Sequence, residues 1–251
     1  MNMNDLNIWK KAERIRKLLG EDSSSPIDLF ALTNSINGLS IVNYPMGENI
    51  SGMCVKGKHS NVFAINSLMT LGRQRFTLAH ELFHLYYDNE PSTSICLKNI
   101  GAGNEKEIQA DQFASYLIMP PLALTEMIQK LKESSSGVIT LNEVVFLEQY
   151  YQISRQAVLY RLIQERELSH QDAEKMRQNI IQSAINLGYD DTLYKPSPLN
   201  KRYRTYGHYI KLAEKVLEKG LVSRGKYEEL LLEAFRSDLV YGEDIDEEIL
   251  D

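Results

Sequence analysis

Between residues 5 and 19, Leu6, Ile8, Trp9, Ala12, Ile15, Leu18 and Leu19 recur at helical spacing with Lys and Arg between them, which predicts an amphipathic helix packed by one face. Ser25-Pro26-Ile27-Asp28 follows, a capping-box-like start with Pro at the first helical position; Asn37-Gly38 should end the short helix it opens. The period then changes. Leu39 to Tyr44, Ile50 to Lys56 and Asn61 to Asn66 are short runs rich in Ile and Val, separated by Gly- and Asn-containing turns, and predict strands of a small antiparallel sheet. Beyond them the pattern is almost wholly helical. Helices are expected over about 73–87, 105–118, 122–133, 141–151, 155–167, 169–187, 206–219 and 223–236, the last two hinged at Gly220. The stretch with Pro91, Gly101 and Gly103 reads as a loop, and Ser134-Ser135-Ser136-Gly137 is the most linker-like segment. The chain therefore reads as α+β and mainly helical, with a small antiparallel sheet in its first half. An all-helical C-terminal region with a helix-turn-helix-like segment follows. The expected units are 1–133, 138–168 and 169–251.

With 251 residues and 43% hydrophobic content, the chain can bury a core without cross-links. Lys and Arg number 28 against 34 Asp and Glu, but Glu243 to Asp251 alone holds six acids and no base, so the rest is balanced. That argues against a broadly basic surface for nonspecific nucleic-acid or membrane binding. Cys54 and Cys96 are the only cysteines, which excludes a disulfide framework or a Cys-rich zinc ribbon as the organising principle. Charges stand at the N-terminus where a signal peptide needs an apolar run, and the longest uncharged window, Leu29 to Gly47, is interrupted by Asn and Pro. A cytoplasmic protein without a membrane partner is expected.

The chemistry sits in His80-Glu81-Leu82-Phe83-His84, inside the apolar-periodic segment RQRFTLAHELFHLYY. Residues four apart on a helix differ by about 40° of rotation, so both imidazoles leave one face and can share a metal ion, while Glu81, about 100° round from His80, stands beside it. A catalytic zinc site needs a third protein ligand and an open position. Asp88 lies further along the same helix, away from the metal. Glu107 and Asp111 open the next helix four apart, next to small Ala110 and Ala114 that permit close helix approach. Glu107 is therefore the expected third ligand, and Asp111 the acceptor that fixes one imidazole's tautomer. Two imidazoles and a carboxylate favour zinc, with Glu81 as the base that takes a proton from water and returns it to a departing amine. The expected reaction is peptide-bond hydrolysis. Asn61 to Asn66 is the expected edge strand, with Val62, Phe63, Ala64, Ile65 and Asn66 pairing an extended substrate. For the tetrahedral oxyanion the candidates are Tyr86, Tyr116 and His59.

The runs RQRFTLAHELFH and EIQADQFASYLIMP resemble the ImmA/IrrE family of zinc metallo-endopeptidases, whose members pair HExxH with a downstream Glu in a segment like ExxADxFAxxLLMP. The resemblance is close over residues 50 to 121. SRQAVLYRLIQ and YIKLAEKVLEKGLVSRGKYEELL are also similar to helical C-terminal parts of longer members. It implies a zincin-like fold, with His80, His84 and Glu107 as zinc ligands and Glu81 as the base. One departure is Phe83, where a small residue such as Gly is common. The family's substrates are often Xre-type helix-turn-helix repressors, so the resemblance implies an antirepressor or a regulatory protease of stress or mobile-element genes.

Residues 141 to 167 leave two readings open. In a DNA-binding helix-turn-helix, Arg155, Gln156 and Tyr160 would face base edges. Glu143, Glu148, Glu165 and Glu167 nevertheless stand against Arg155, Arg161 and Arg166, so a packing or partner-docking role is the alternative. Lys195 to Lys226 carries nine Lys or Arg against two Glu, interleaved with Tyr203, Tyr206 and Tyr209. It suits nucleic acid, an acidic partner, the chain's own acidic tail, or a plain solvated face. Two function classes follow: a site-specific protease, or a DNA- or partner-binding transcriptional regulator whose zinc site is structural or vestigial. Glu81 separates them, because a structural site needs no carboxylate beside the metal.

Overall fold

The computed structural model describes residues 3–88, 92–134 and 137–242. The acidic segment 243–251 and Ser135-Ser136 of the expected linker lie outside the described residues. Helix α1 (Met3–Leu18) buries Ile8, Ala12 and Ile15. At its end Arg16, 2% exposed, donates to Leu117 O at 2.6 Å and to Asp22 O at 2.6 Å, satisfying carbonyls that would otherwise be stranded. Helix α2 (Leu29–Ser35) starts later than the sequence suggested. Its N-cap is Asp28, whose Oδ1 accepts from the Phe30 and Ala31 amides, while Ser25 is held in a turn by Asp22 and cannot cap.

Strands β1 (Leu39–Tyr44), β2 (Ile50–Lys56) and β3 (Asn61–Asn66) form where alternation predicted them. Two more join: β4 (Ser92–Leu97), in a stretch read as loop, and β5 (Arg204–Gly207), which overlaps the start of the helix expected over about 206–219. The order is β4-β2-β3-β1-β5. The sheet is mixed and not antiparallel throughout: β2 returns as a hairpin with β3, but β1 lies on the other side of β3 and parallel to it, with Val42 opposite Ala64. Asn66 holds the crossing in place. Its Oδ1 accepts from the Met46 and Leu68 amides, and its Nδ2 donates to Ile50 O at 2.7 Å. The assignment of Val62, Phe63, Ala64, Ile65 and Asn66 to an open substrate-binding edge is thereby corrected. Their strand is paired on both sides, Phe63 and Ile65 are core, and Asn66 is a buried clamp. The free edges belong to β4 and β5.

Helix α3 (Leu71–Tyr87) lies on the inner face of the sheet, and α4 (Glu105–Ile118) packs against it. A Cβ on Gly52 would stand 2.7 Å from Thr77 Cγ2 and 2.8 Å from Ala64 O, so only glycine lets β2 come this close to α3. Phe83 fills the seam of α3, α4 and α1, its ring 5.6 Å from that of Phe113 and under the Lys11 ammonium at 5.2 Å. Helices α5 (Pro121–Ser134), α6 (Leu141–Tyr151) and α7 (Arg155–Gln164) complete this layer. The α6–α7 turn presses on the start of α3, where a Cβ on Gly72 would meet Ser154 N at 2.7 Å.

That packing decides the helix-turn-helix question for one residue. Arg155 does not face outward as a base-reading side chain would; it is 2% exposed and ion-paired with Glu148, itself 0% exposed. Tyr160 is half-buried over Gly101. The single helix expected over 169–187 is broken into α8 (His170–Lys175) and α9 (Ile180–Asn186), with Asn179 left-handed at φ 50°. The break frees Met176 O, which accepts from Arg155 Nη1 at 2.7 Å, so the buried guanidinium gains a partner from it. The chain then seals the start of α3, with Leu71 N donating to Lys195 O at 2.8 Å and Ser197 Oγ to Gln74 Oε1 at 3.1 Å, before β5 pairs antiparallel with β1.

Helices α10 (His208–Glu218), α11 (Arg224–Glu233) and α12 (Ser237–Tyr241) follow. In the basic stretch, Lys195, Arg204, Arg224 and Lys226 pair with Asp191, Asp238, Glu228 and Glu229. Tyr203 packs edge-on against Tyr44 at 5.2 Å, and Tyr209 donates to Leu230 O, so both serve packing. Among the described residues, no helix is long and apolar enough to cross a membrane.

Candidate metal centre

Helix α3 starts at Thr70, whose hydroxyl accepts from the Arg73 amide, and runs with its middle buried on every side. Helix α4 starts at Asn104, whose Oδ1 accepts from the Lys106 and Glu107 amides. Glu107 therefore sits in the first turn, where the helix N-terminus favours a carboxylate. Buried Ala110 and Ala114 bring the two helices together, as small side chains at those positions allow.

His80 Nε2 lies 3.1 Å from His84 Nε2 and 3.1 Å from Glu107 Oε2, and His84 Nε2 lies 3.5 Å from Glu107 Oε1. The other ring nitrogens are held from behind. His80 Nδ1 stands 2.8 Å from Asp111 Oδ1, and His84 Nδ1 stands 3.0 Å from Asp88 Oδ2. With each carboxylate accepting an Nδ1 proton, the tautomer that metal binding requires, two Nε2 lone pairs and a carboxylate oxygen face one another. Three acceptors converging in a buried site need a cation between them. One donor atom from each of His80, His84 and Glu107 lies within 4.8 Å of the others, and the donor set of two imidazoles and a carboxylate fits a metal ion.

The electrostatics agree. Burial works against charge on Glu107, but hydrogen bonds from His80 and His84 prevail and hold its carboxyl down at about 2. Burial alone would push His80 down; Cys96, Asp111 and Glu107 around it outweigh that, so without metal the cluster holds a proton well above the ordinary imidazole range. Glu81 is different: burial pushes its carboxyl up to about 7, against the pull of His80 and His84. Its Oε2 accepts from Ser94 Oγ at 3.4 Å, and its buried Oε1 has no partner.

Of the four residues expected to converge, His80, His84 and Glu107 come together with Asp111 behind His80, while Glu81 groups with His80 and Cys96 on the β4 side. Asp111 also accepts the Gly101 amide at 2.6 Å, tying the loop to the site. Asp111→Ala should lower metal affinity about 10- to 100-fold, because His80 loses its orienting acceptor; titration against a competing chelator measures it, and unchanged affinity would contradict that role. Of the oxyanion candidates, Tyr116 OH accepts from Gln112 beneath Arg161, His59 lies in the β2–β3 turn, and Tyr86 is half-buried against the apolar core. None of the three is bonded to the cluster among the described contacts.

Sequence reasoning missed Asp88, Lys106, Ser94 and Cys96. Asp88 is no ligand, as its position predicted, but the chain leaves the helix there and folds the carboxylate back onto His84, where Lys106 Nζ joins it at 2.9 Å. Ser94 and Cys96 lie on β4, whose polar side faces inward. Ile95 and Leu97 point out, at 45% and 42% exposure, because the inner side faces the Glu81 carboxylate. The usual apolar-in alternation is reversed, so the strand carries no ordinary pattern.

Residues 39–163 match the family model described as the IrrE N-terminal-like domain, Peptidase_M78. A search of curated proteins gave no match. The matched segment runs from β1 into α7 and contains every residue of the cluster, and through it the chain belongs to the Peptidase_M78 family of metallopeptidases.

Proposed function

We propose that this protein is a zinc-dependent endopeptidase that cuts a peptide bond in one specific protein, a helix-turn-helix repressor of the Xre type. The carrying observation is the pair of imidazoles anchored through Nδ1 to Asp111 and Asp88, with both Nε2 atoms turned to Glu107 and an unpartnered Glu81 oxygen beside them. His80, His84 and Glu107 hold the ion. When bound, zinc supplies Lewis acidity, which polarises a peptide carbonyl and makes water acidic near neutral pH. Glu81 Oε1 takes the proton from water and passes it to the departing amine, and Ser94 Oγ holds the second oxygen in place. A structural metal site would have no use for a buried carboxylate left unpaired at this position.

The substrate enters as an extended segment along the free edge of β4, which pairs with β2 on one side only. Ser94 lies on that strand and touches Glu81, so backbone pairing there delivers a peptide bond next to the base. The choice of a repressor rests on the resemblance to ImmA/IrrE proteins. The test is incubation of the full chain with Xre-type helix-turn-helix repressors, followed by mass spectrometry of the products. Cleavage at one bond, lost after chelation and restored by zinc, is expected. An intact repressor in the presence of zinc-loaded protein overturns the substrate, and cleavage that survives metal removal overturns the metal chemistry.

A further inference from the structure

The buried face between α3 and β4 carries a second group of possible metal donors, of which the peptidase reading leaves Cys96 unused. One donor atom from each of His80, Glu81 and Cys96 lies within 4.8 Å of the others, and all three residues are buried. Cys96 stands opposite Gly52 in the β2–β4 pairing, so no side chain of β2 lies between the thiol and the helix. Arg73, seven residues before His80 and hence on the same side of α3, is 4% exposed. Its Nη2 points at Cys96 Sγ from 3.8 Å and donates to Leu97 O at 2.7 Å, and its Nε donates to Ser51 Oγ at 3.1 Å. Nη1 has no partner, and neither does Glu81 Oε1. The guanidinium thus reaches the sulfur from the side of α3 that also carries His80.

We propose that Cys96, with His80 and Glu81, forms an alternative, latent seat for the metal ion, and that the ion exchanges between this seat and the productive one at His80, His84 and Glu107. The inference rests on the metallopeptidase reading. Both seats contain His80, so one ion cannot use them in full together. In the latent seat the ion binds a thiolate formed by loss of the Cys96 proton to solvent, Arg73 supports the sulfur from behind, and Glu81 is a ligand with no free oxygen to serve as base. The seat is therefore catalytically silent, and β4, the strand on which the proposed substrate docks, carries the latch. A soft sulfur donor beside imidazole and carboxylate suits zinc and cobalt.

Cobalt(II) loaded into the full chain reads the two seats directly, because thiolate ligation gives a charge-transfer band in the near ultraviolet. One cobalt per chain with this band is expected. The band should be lost in Cys96→Ser with cobalt still bound, and kept in Cys54→Ser. His84→Ala, which removes a ligand of the productive seat only, should keep both the cobalt and the band. That variant tests the seat even if Cys96→Ser folds poorly. One cobalt bound without the band, or a band that persists in Cys96→Ser, overturns the latent seat and leaves the peptidase reading standing. Failure of the native chain to bind cobalt or zinc overturns both.

Discussion

Glu81→Gln is expected to lower repressor cleavage about 100- to 10,000-fold while zinc content per chain stays unchanged. The reason lies in the separation of two tasks on one turn of α3. His80, His84 and Glu107 face one another as the proposed metal ligands, whereas Glu81 projects toward β4, 0% exposed, with Oε1 unpartnered. Glutamine matches glutamate in volume and can still accept from Ser94 Oγ through its carbonyl, so packing is preserved. It cannot take up a proton. Cleavage kinetics together with metal analysis of both proteins check the result. Retained cleavage in the variant would remove Glu81 from the chemistry, and loss of zinc along with activity would assign it to holding the ion instead.

Glu148→Ala should cost about 3–5 kcal/mol of folding stability, because it leaves the Arg155 guanidinium buried without its counter-charge. For a chain of this size, at about 2–4 °C per kcal/mol, Tm should fall by roughly 10 °C. Arg155 Nε and Nη2 meet Glu148; the remaining donors go to Met176 O and to Ser183 Oγ at 2.8 Å, and Tyr194 OH donates to Glu148 Oε2 at 2.6 Å. The pair thus ties α6 and α7 to the broken α8–α9 segment and to the turn at Tyr194. Replacing both charges with apolar residues, Glu148→Leu with Arg155→Met, should recover much of the loss, since the uncompensated charge carries the penalty. Thermal unfolding of the three proteins decides it. A single substitution with no measurable effect on Tm would mean that water reaches the guanidinium.

These two sites were legible to different degrees. HExxH fixes its own geometry, because four residues on a helix return a side chain to the same face whatever surrounds it, and α3 forms wherever its apolar period is satisfied. Glu107 and Asp111 were readable for the same reason, as a second pair four apart on a helix whose small residues announced a close neighbour. For Arg155 the sequence left a base-facing and a packing reading open, with Glu148 counted only as an opposing charge in the same segment. Burial decided for packing, and no local pattern reports the burial of a charge whose partner arrives from another helix. The expected helix over 169–187 failed in a related way: it breaks before Asn179, and the Met176 carbonyl goes to Arg155, a partner from another helix.

What the sequence by itself determined is local: the periodicity of α3 and α4, the strands β1 to β3, and the residues His80, His84 and Glu107 that meet at the candidate metal centre. Only the tertiary structure decided what lies across from them. It made β3 a central strand and β4 the free edge, brought β5 back from residue 204 to close the sheet beside β1, and turned Asp88, Ser94 and Cys96 toward the metal centre. The physical reason is one of range. Helical spacing is set by hydrogen bonds four residues apart and can be read in a short window, whereas strand order and the pairing of buried charges depend on contacts between segments distant along the chain.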